Sequence, residues 1–261
     1  MSQEEEKVRL GGMALGNGVL VHGPTSWACA IRLRDGELKV AAAKKKFRSA
    51  DVTNPLLRGP AKLAEVFALL PELRRRLPEA ELPFQRPGVL VSMAGATAAV
   101  KVVRSSPNIG PAAQELVSGL LALAPALMSL RNSDVAAYHG AEHISIGSYE
   151  HGETVVKEHE RCGGHLVGPL VATTAIGNIL AAKAPPNLRG PARMAASVGA
   201  IAASMEIFGW MVKHPRHPLA RALSKPGHEL QHRLSTAEPT PEQLEVAEAA
   251  LAACLELEEA A

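Results

Sequence analysis

Residues 27–43 read WACAIRLRDGELKVAAA. Two short strand-like runs, Trp27 to Leu33 and Glu37 to Ala43, flank Asp35-Gly36. That dipeptide is a strong hairpin signal, because a type I′ turn needs positive φ and glycine supplies it at no steric cost. Working outward, the whole segment from Val8 to Lys46 reads as β. Gly11, Gly12, Gly16, Gly18 and Gly23 crowd its first half, where they permit bends and close backbone approach. They do not form a GxGxxG run opening a helix, and no βαβ repeat follows, so a parallel nucleotide-binding sheet is not indicated. The basic run Lys44, Lys45, Lys46 and Arg48 is expected to be a solvated hairpin end.

The rest of the chain reads as helices. Pro60 to Leu77 suits one, with Ala61, Ala64, Phe67 and Ala68 expected along its packed face. Arg74, Arg75 and Arg76 complement its C-terminal dipole and Pro78 stops it. Val89 to Val103 is Ala-rich and fits helix or strand. Pro107 and Pro111 interrupt the chain before a helix running from Ala112 to Leu130. Asn132, Ser133 or Asp134 can cap the next helix, which carries Val135 to Ile146. Gly163 and Gly164 precede an apolar helix from His165 to Ala182, and a second apolar helix follows the prolines at 185, 186 and 191 and runs to Val212. Thr240-Pro241-Glu242-Gln243 opens the last helix, with proline at its first position and an acid in its first turn. The predicted fold class is α+β. A glycine-rich β-hairpin region (1–55) is followed by a helical metal-site domain (56–261), packed with it as one unit and containing two or three apolar helices.

Whether those helices lie in a bilayer is open at this level. A span needs about 20 mainly apolar residues. Val117–Leu130, Leu166–Ala182 and Met194–Val212 approach that length, but Pro125 and Glu206 interrupt two of them and small residues dominate. Buried helices of a soluble, cytoplasmic bundle and helices of a cell-membrane protein fit equally. Aromatic residues are 3 %, so the core must be built from Ala, Leu and Val. The formal net charge of +2 gives no electrostatic reason to expect a nucleic-acid partner. Basic and Arg-rich spots could meet anionic lipid headgroups. Cys29, Cys162 and Cys254 are widely spaced with no CxxC pair, which favours a reducing compartment over a disulfide framework. The acidic start Met-Ser-Gln-Glu-Glu-Glu, with no apolar run behind it, predicts no secretory signal.

Chemistry concentrates at His139-Gly140-Ala141-Glu142-His143. On a helix, positions i, i+3 and i+4 share a face, so the two imidazoles and the carboxylate point at one volume. Two imidazoles spaced this way can grip Zn²⁺, and the carboxylate between them can be a ligand or polarise water. The order H-x-x-E-H is the inverted form of a zinc-hydrolase motif. A second cluster follows: His159, Cys162 and His165 lie three residues apart before the glycine pair, and thiolate and imidazole are favoured zinc ligands. Glu206, inside an apolar helix, needs a partner or a cation and is a candidate remote ligand. Tyr149 and Glu150 could support the first motif from behind. The expected metal set is therefore His139, His143, His159, Cys162 and Glu206, with Glu142 as the catalytic carboxylate and a divalent metal, most readily Zn²⁺, as cofactor.

Tyr138-His139-Gly140-Ala141-Glu142-His143, then Tyr149-Glu150-His151-Gly152, His159-Glu160-Arg161-Cys162-Gly163 and Ser204-Met205-Glu206, resemble the successive motifs of the DUF1385 (YqhQ-like) family. So do Arg233-Leu234-Ser235-Thr236-Ala237-Glu238-Pro239 near the C-terminus, Leu57-Arg58-Gly59, and the opening Gly11-Gly12-Met13-Ala14-Leu15-Gly16-Asn17-Gly18. Met13 and Asn17 depart from the Gln and Glu of the family pattern. The resemblance implies an integral membrane protein with a metal-dependent centre. Two functions stay open: a membrane-associated, metal-dependent hydrolase using the H-x-x-E-H site, and a non-enzymatic membrane scaffold or assembly factor with a structural metal. A metal-free buried polar network of the same residues is a third reading.

Overall fold

The computed structural model describes residues 7–130, 133–159 and 161–260. Four strands, β1 (Gly11–Ala14), β2 (Gly18–His22), β3 (Ser26–Arg32) and β4 (Leu38–Lys44), form an antiparallel meander in the order β1-β2-β3-β4. In the β3–β4 hairpin Trp27 pairs with Ala43 and Ile31 with Lys39, and Gly36 turns the corner at φ 91°. Asp35 Oδ1 accepts the Glu37 N–H at 3.1 Å and closes the turn.

Eight α-helices follow: α1 (Pro55–Arg76), α2 (Pro87–Ser105), α3 (Pro111–Leu130), α4 (Asp134–His151), α5 (Val167–Ala182), α6 (Arg189–Lys213), α7 (Pro218–Leu230) and α8 (Pro241–Glu259). A π-helical turn, Gln231–Ser235, leads out of α7. Thr240 and Gln243 form a reciprocal capping box at the start of α8. The six N-terminal residues, Asn132 and Glu160 lie outside the described residues. At α4 it is Ser133 that occupies the cap position, although its hydroxyl donates back to Ser129 and Leu130 carbonyls instead.

Both faces of the sheet are covered. Val19, Val21, Ala28 and Ala30 pack on Val135, Tyr138 and Ala141 of α4 and on Val246, Ala247, Ala250 and Cys254 of α8. Leu20, Trp27, Cys29 and Ile31, on the alternate side of the same strands, pack on Leu69, Leu73 and Leu77 of the α1 region. That explains why β3 reads as a near-continuous apolar run. It also corrects the expected face of α1. Leu69, Leu73 and Leu77 repeat every four residues and are buried, while Ala64, Phe67 and Ala68 are exposed, because the larger aliphatic stripe buries more apolar surface. The basic run also differs from expectation: the Lys45 side chain is buried, ion-paired to Glu65 of α1 and 3.1 Å from His22 Nδ1. Its position on the strand end beneath α1 leaves it no route to solvent, and the carboxylate satisfies it.

The apolar helices form two hairpins. α2 packs along α3, and α5 along α6, with α3 touching α5 and α6 touching α1. Val89–Val103 is thus helix. Four helical segments are long and apolar enough to cross a membrane: Pro87–Ser105, Ala113–Leu130, Gly163–Ala182 and Pro186–Lys213. Only 6 % to 22 % of each apolar stretch is buried within the described chain. Val91, Val102, Leu120, Ile176, Leu180, Met194 and Val198 stand exposed along them. One polar link joins the hairpins: Glu115 accepts from Arg104 Nη2 and from Asn178 Nδ2, each at 2.8 Å. Each hairpin turns through a short connection (106–110 and 183–188), and the sheet, α4, α7 and α8 gather at the opposite ends of the helices.

Candidate metal centre

α4 follows directly on α3, and Cys162 sits one residue before the Gly163–Ala182 segment, so the candidate centre lies where two apolar helices meet the α+β unit. α4 places His139, Glu142 and His143 on one buried face. Gly140, between them, is required by close approach: a Cβ there would collide with the Ala237 carbonyl oxygen. The absence of that Cβ lets segment 235–237 lie on α4, tied by the Ala237 N–H to the Ala136 carbonyl at 2.9 Å. The same approach brings the Ser235 carbonyl 2.7 Å from His139 Nδ1.

His143 Nδ1 lies 2.6 Å from the Lys157 carbonyl. A carbonyl can only accept, so each imidazole donates from Nδ1–H and keeps its lone pair on Nε2. The two rings meet edge to face with centroids 4.3 Å apart. Cys162 Sγ is 3.6 Å from His139 Nε2 and accepts the Gly164 N–H at 3.3 Å. One donor atom each from His139, His143 and Cys162 falls within 4.8 Å of the other two, a spacing that a single metal ion could bridge.

Glu142 completes the wall. Its Oε2 is 3.9 Å from His139 Nε2, and among the described residues its carboxylate has no hydrogen-bond donor. Gly12 of β1 backs it so closely that a Cβ there would stand 2.5 Å from Oε1. Together these groups border a cavity of about 170 Å³ that also reaches His22 and His159.

Burial sets the protonation states. It lowers the His139 pKa, against the opposing hydrogen bond that the ring donates to the Ser235 carbonyl, and lowers His143 to about 3, with repulsion from His139 adding to it. Burial also raises Glu142 to about 7, opposed by His159, and Cys162 to about 12, opposed by the Gly164 N–H. At neutral pH the imidazoles are uncharged and ready to donate, while the thiol still holds its proton.

The other sequence-derived candidates lie apart from this trio. His159 stands with its ring centroid 5.6 Å from His143, and both its nitrogens are engaged: Nδ1 accepts the Arg161 N–H at 3.3 Å and Nε2 faces Glu150 Oε2 at 3.2 Å. Glu150 also pairs with Arg161. Tyr149 instead takes the Val8 N–H on its hydroxyl at 3.1 Å. His165 is held between the Ser224 carbonyl and Gln231. Glu206 is not brought to the group. It forms a two-pronged ion pair with Arg58 of α1, with contacts of 2.6 and 2.8 Å, because Gly59 lets α1 pack against Met205 and sets Arg58 opposite it. Three participants carried no sequence signal strong enough to find them. Gln231 is fully buried and bridges His159 N–H and His165, while Ser235 and Lys157 act through backbone carbonyls that any residue could supply.

The fold and the site define an α+β protein with two apolar helical hairpins and a His/His/Cys group with a neighbouring carboxylate. The family model described as "Protein of unknown function (DUF1385)" matches residues 121–257, more than half of the chain, and the chain belongs to that family. No curated protein and no solved structure matched it.

Proposed function

We propose that this chain is a membrane-embedded metalloprotein in which His139, His143 and Cys162 hold a Zn²⁺ ion and Glu142 acts as general base in a hydrolytic reaction. The observation that carries the reading is the pair of imidazoles. Each is fixed through Nδ1 to a backbone carbonyl, which leaves each an Nε2 lone pair, and His139 Nε2 stands 3.6 Å from the cysteine sulfur. Orientation of ligand histidines by such outer partners is the usual arrangement in metal sites. Three protein ligands leave a fourth position for water or substrate. A zinc ion there would supply Lewis-acid polarisation of that water or of a substrate carbonyl. Glu142 flanks the same volume without a competing donor, and a pKa raised to about 7 suits a carboxylate that must take up and return a proton near neutral pH. The bilayer part of the reading rests on the four long apolar helices and on the small share of them that protein covers.

The test is elemental analysis of protein purified in detergent without chelators. About one equivalent of zinc is expected in the wild type and a loss of most of it in His139→Ala/His143→Ala that still folds. A metal-free wild type would overturn the proposal. A specific observation favours a second reading, a structural zinc in a scaffold. The trio ties α4 to the 157–163 loop, and Ser235 ties it to the turn before α8. Glu142→Gln separates the two. It keeps its zinc if Glu142 is a base beside an open position, and loses affinity if Glu142 is the fourth ligand of a closed site.

A further inference from the structure

A cavity of about 800 Å³ neighbours the metal cavity, and His159 and Arg161 line both. Its two sides differ in chemistry. One is polar, formed by Lys7 and Arg9 from the segment before β1, by Arg161 paired with Glu150, and by Glu158 paired with His232, so that Lys7 and Arg9 are the cations there without a carboxylate partner among the described residues. The other is apolar, formed by Phe208, Met211 and Val212 at the end of α6, where that helix leaves its apolar stretch. Arg9 has no hydrogen-bond or ion-pair partner among the described residues and lies near enough to Arg161 for the two guanidiniums to repel. Arg9, a guanidinium facing this space without a carboxylate of its own, is stabilised by an anion there, and planar Arg donors suit a phosphate or carboxylate. The volume falls in the range of small-molecule sites, which runs from about 300 to 1,000 Å³.

From this we infer that the cavity binds an amphiphile with an anionic headgroup, the phosphate or carboxylate on the Lys7–Arg9–Arg161 side and the apolar portion against Phe208 and Met211. The ligand enters from the bilayer alongside α6. The inference rests on the bilayer reading of the hairpins and extends the proposed function by giving the class of substrate offered to the metal cavity. It does not depend on the metal being present.

The experiment is calorimetric titration of the full chain in an uncharged detergent with three probes: dihexanoyl phosphatidic acid, dihexanoyl phosphatidylcholine and inorganic phosphate. Phosphatidic acid should bind at least about tenfold more tightly than either of the others, the margin expected from charge-assisted contacts to the phosphate. Arg9→Glu should weaken it about tenfold or more, and Phe208→Ala should weaken phosphatidic acid while leaving inorganic phosphate unchanged. Equal binding of the zwitterionic lipid, or no effect of Arg9→Glu, overturns the headgroup assignment. Inorganic phosphate binding as tightly as phosphatidic acid overturns the lipid source and leaves a free-anion site. Protein stripped with EDTA is run in parallel and should bind phosphatidic acid unchanged, so failure of the zinc proposal is read separately. A chain released from membranes by alkaline carbonate overturns the bilayer reading and this inference with it.

Discussion

If Cys162 ligates zinc, metal affinity must depend on pH through one identifiable proton. Burial raises this thiol from the ordinary 9 to about 12, so its thiolate costs roughly 4 kcal/mol more here than in water, at about 1.4 kcal/mol per unit. The metal has to supply that energy when it displaces the proton. His139 and His143 contribute no proton above pH 7, because their pKa values lie below the ordinary 6.5. Between pH 7 and 8 the zinc Kd should therefore fall about tenfold, a slope of one proton per ion. Below pH 7 the slope should steepen toward two, since Glu142, with its pKa near 7, also gives up a proton beside a cation. Competition titration against a chromogenic zinc chelator over this range reads the slope directly. Cys162→Ser should flatten the upper limb, and Glu142→Gln should remove the steepening without touching the upper limb. A wild-type profile with no slope between pH 7 and 8, or a slope unchanged in Cys162→Ser, would refute cysteine ligation.

Glu142 also controls the metal-free protein. Its folded pKa is about 7 against an ordinary 4.5, so the native state keeps a proton that the unfolded chain releases, and stability falls as pH rises from 4.5 to 7. Glu142→Gln should accordingly stabilise the metal-free form by about 3 kcal/mol at pH 8 and give no advantage at pH 4, measured by thermal melts. Glu206→Gln should leave zinc content at wild-type level, because that carboxylate serves Arg58; loss of zinc would place it in the metal set after all. Gly140→Ala should cost on the order of 3 kcal/mol or more, since backbone rather than a flexible side chain occupies the Cβ position, and a wild-type melting temperature would contradict the described packing. Cysteines introduced at Asn108 and Asn187, in the hairpin connections, should react with an impermeant maleimide from one side of the membrane and one at Glu153 from the other; labelling all from one side would exclude the two-hairpin arrangement.

The sequence announced what local rules govern. Asp35-Gly36, the Thr240–Gln243 cap and the i, i+3, i+4 spacing of the H-x-x-E-H residues depend on neighbours in the chain, and the structure has each of these features. Cys162 is legible as a candidate from its residue type and its place between His159 and His165. Features set by distant packing were not legible. The covering sheet decides the buried face of α1, and the burial of Lys45 depends on Glu65, a partner on another element. The first apolar helix was overlooked as a span since Lys101 and Arg104 sit at its end. That Glu206 needs a partner is legible, but that the partner is Arg58 rather than a metal is not, since Arg58 is 148 residues away.

The sheet is closed by residues from the opposite end of the chain. Glu258 accepts the backbone N–H groups of Thr25 and Ser26 at 2.9 and 2.6 Å, and α8 fills one face of β2 and β3. A ribosome therefore releases the strands long before α8 exists, and both apolar hairpins are made in the interval. Until α8 is made, Val19, Val21, Ala28 and Ala30 lack half of their packing. Folding of this protein is thus ordered by its own architecture: hairpins first, closure of the sheet last. A chain cut short before Pro241 leaves the α8-facing part of that sheet face uncovered to chaperones and proteases.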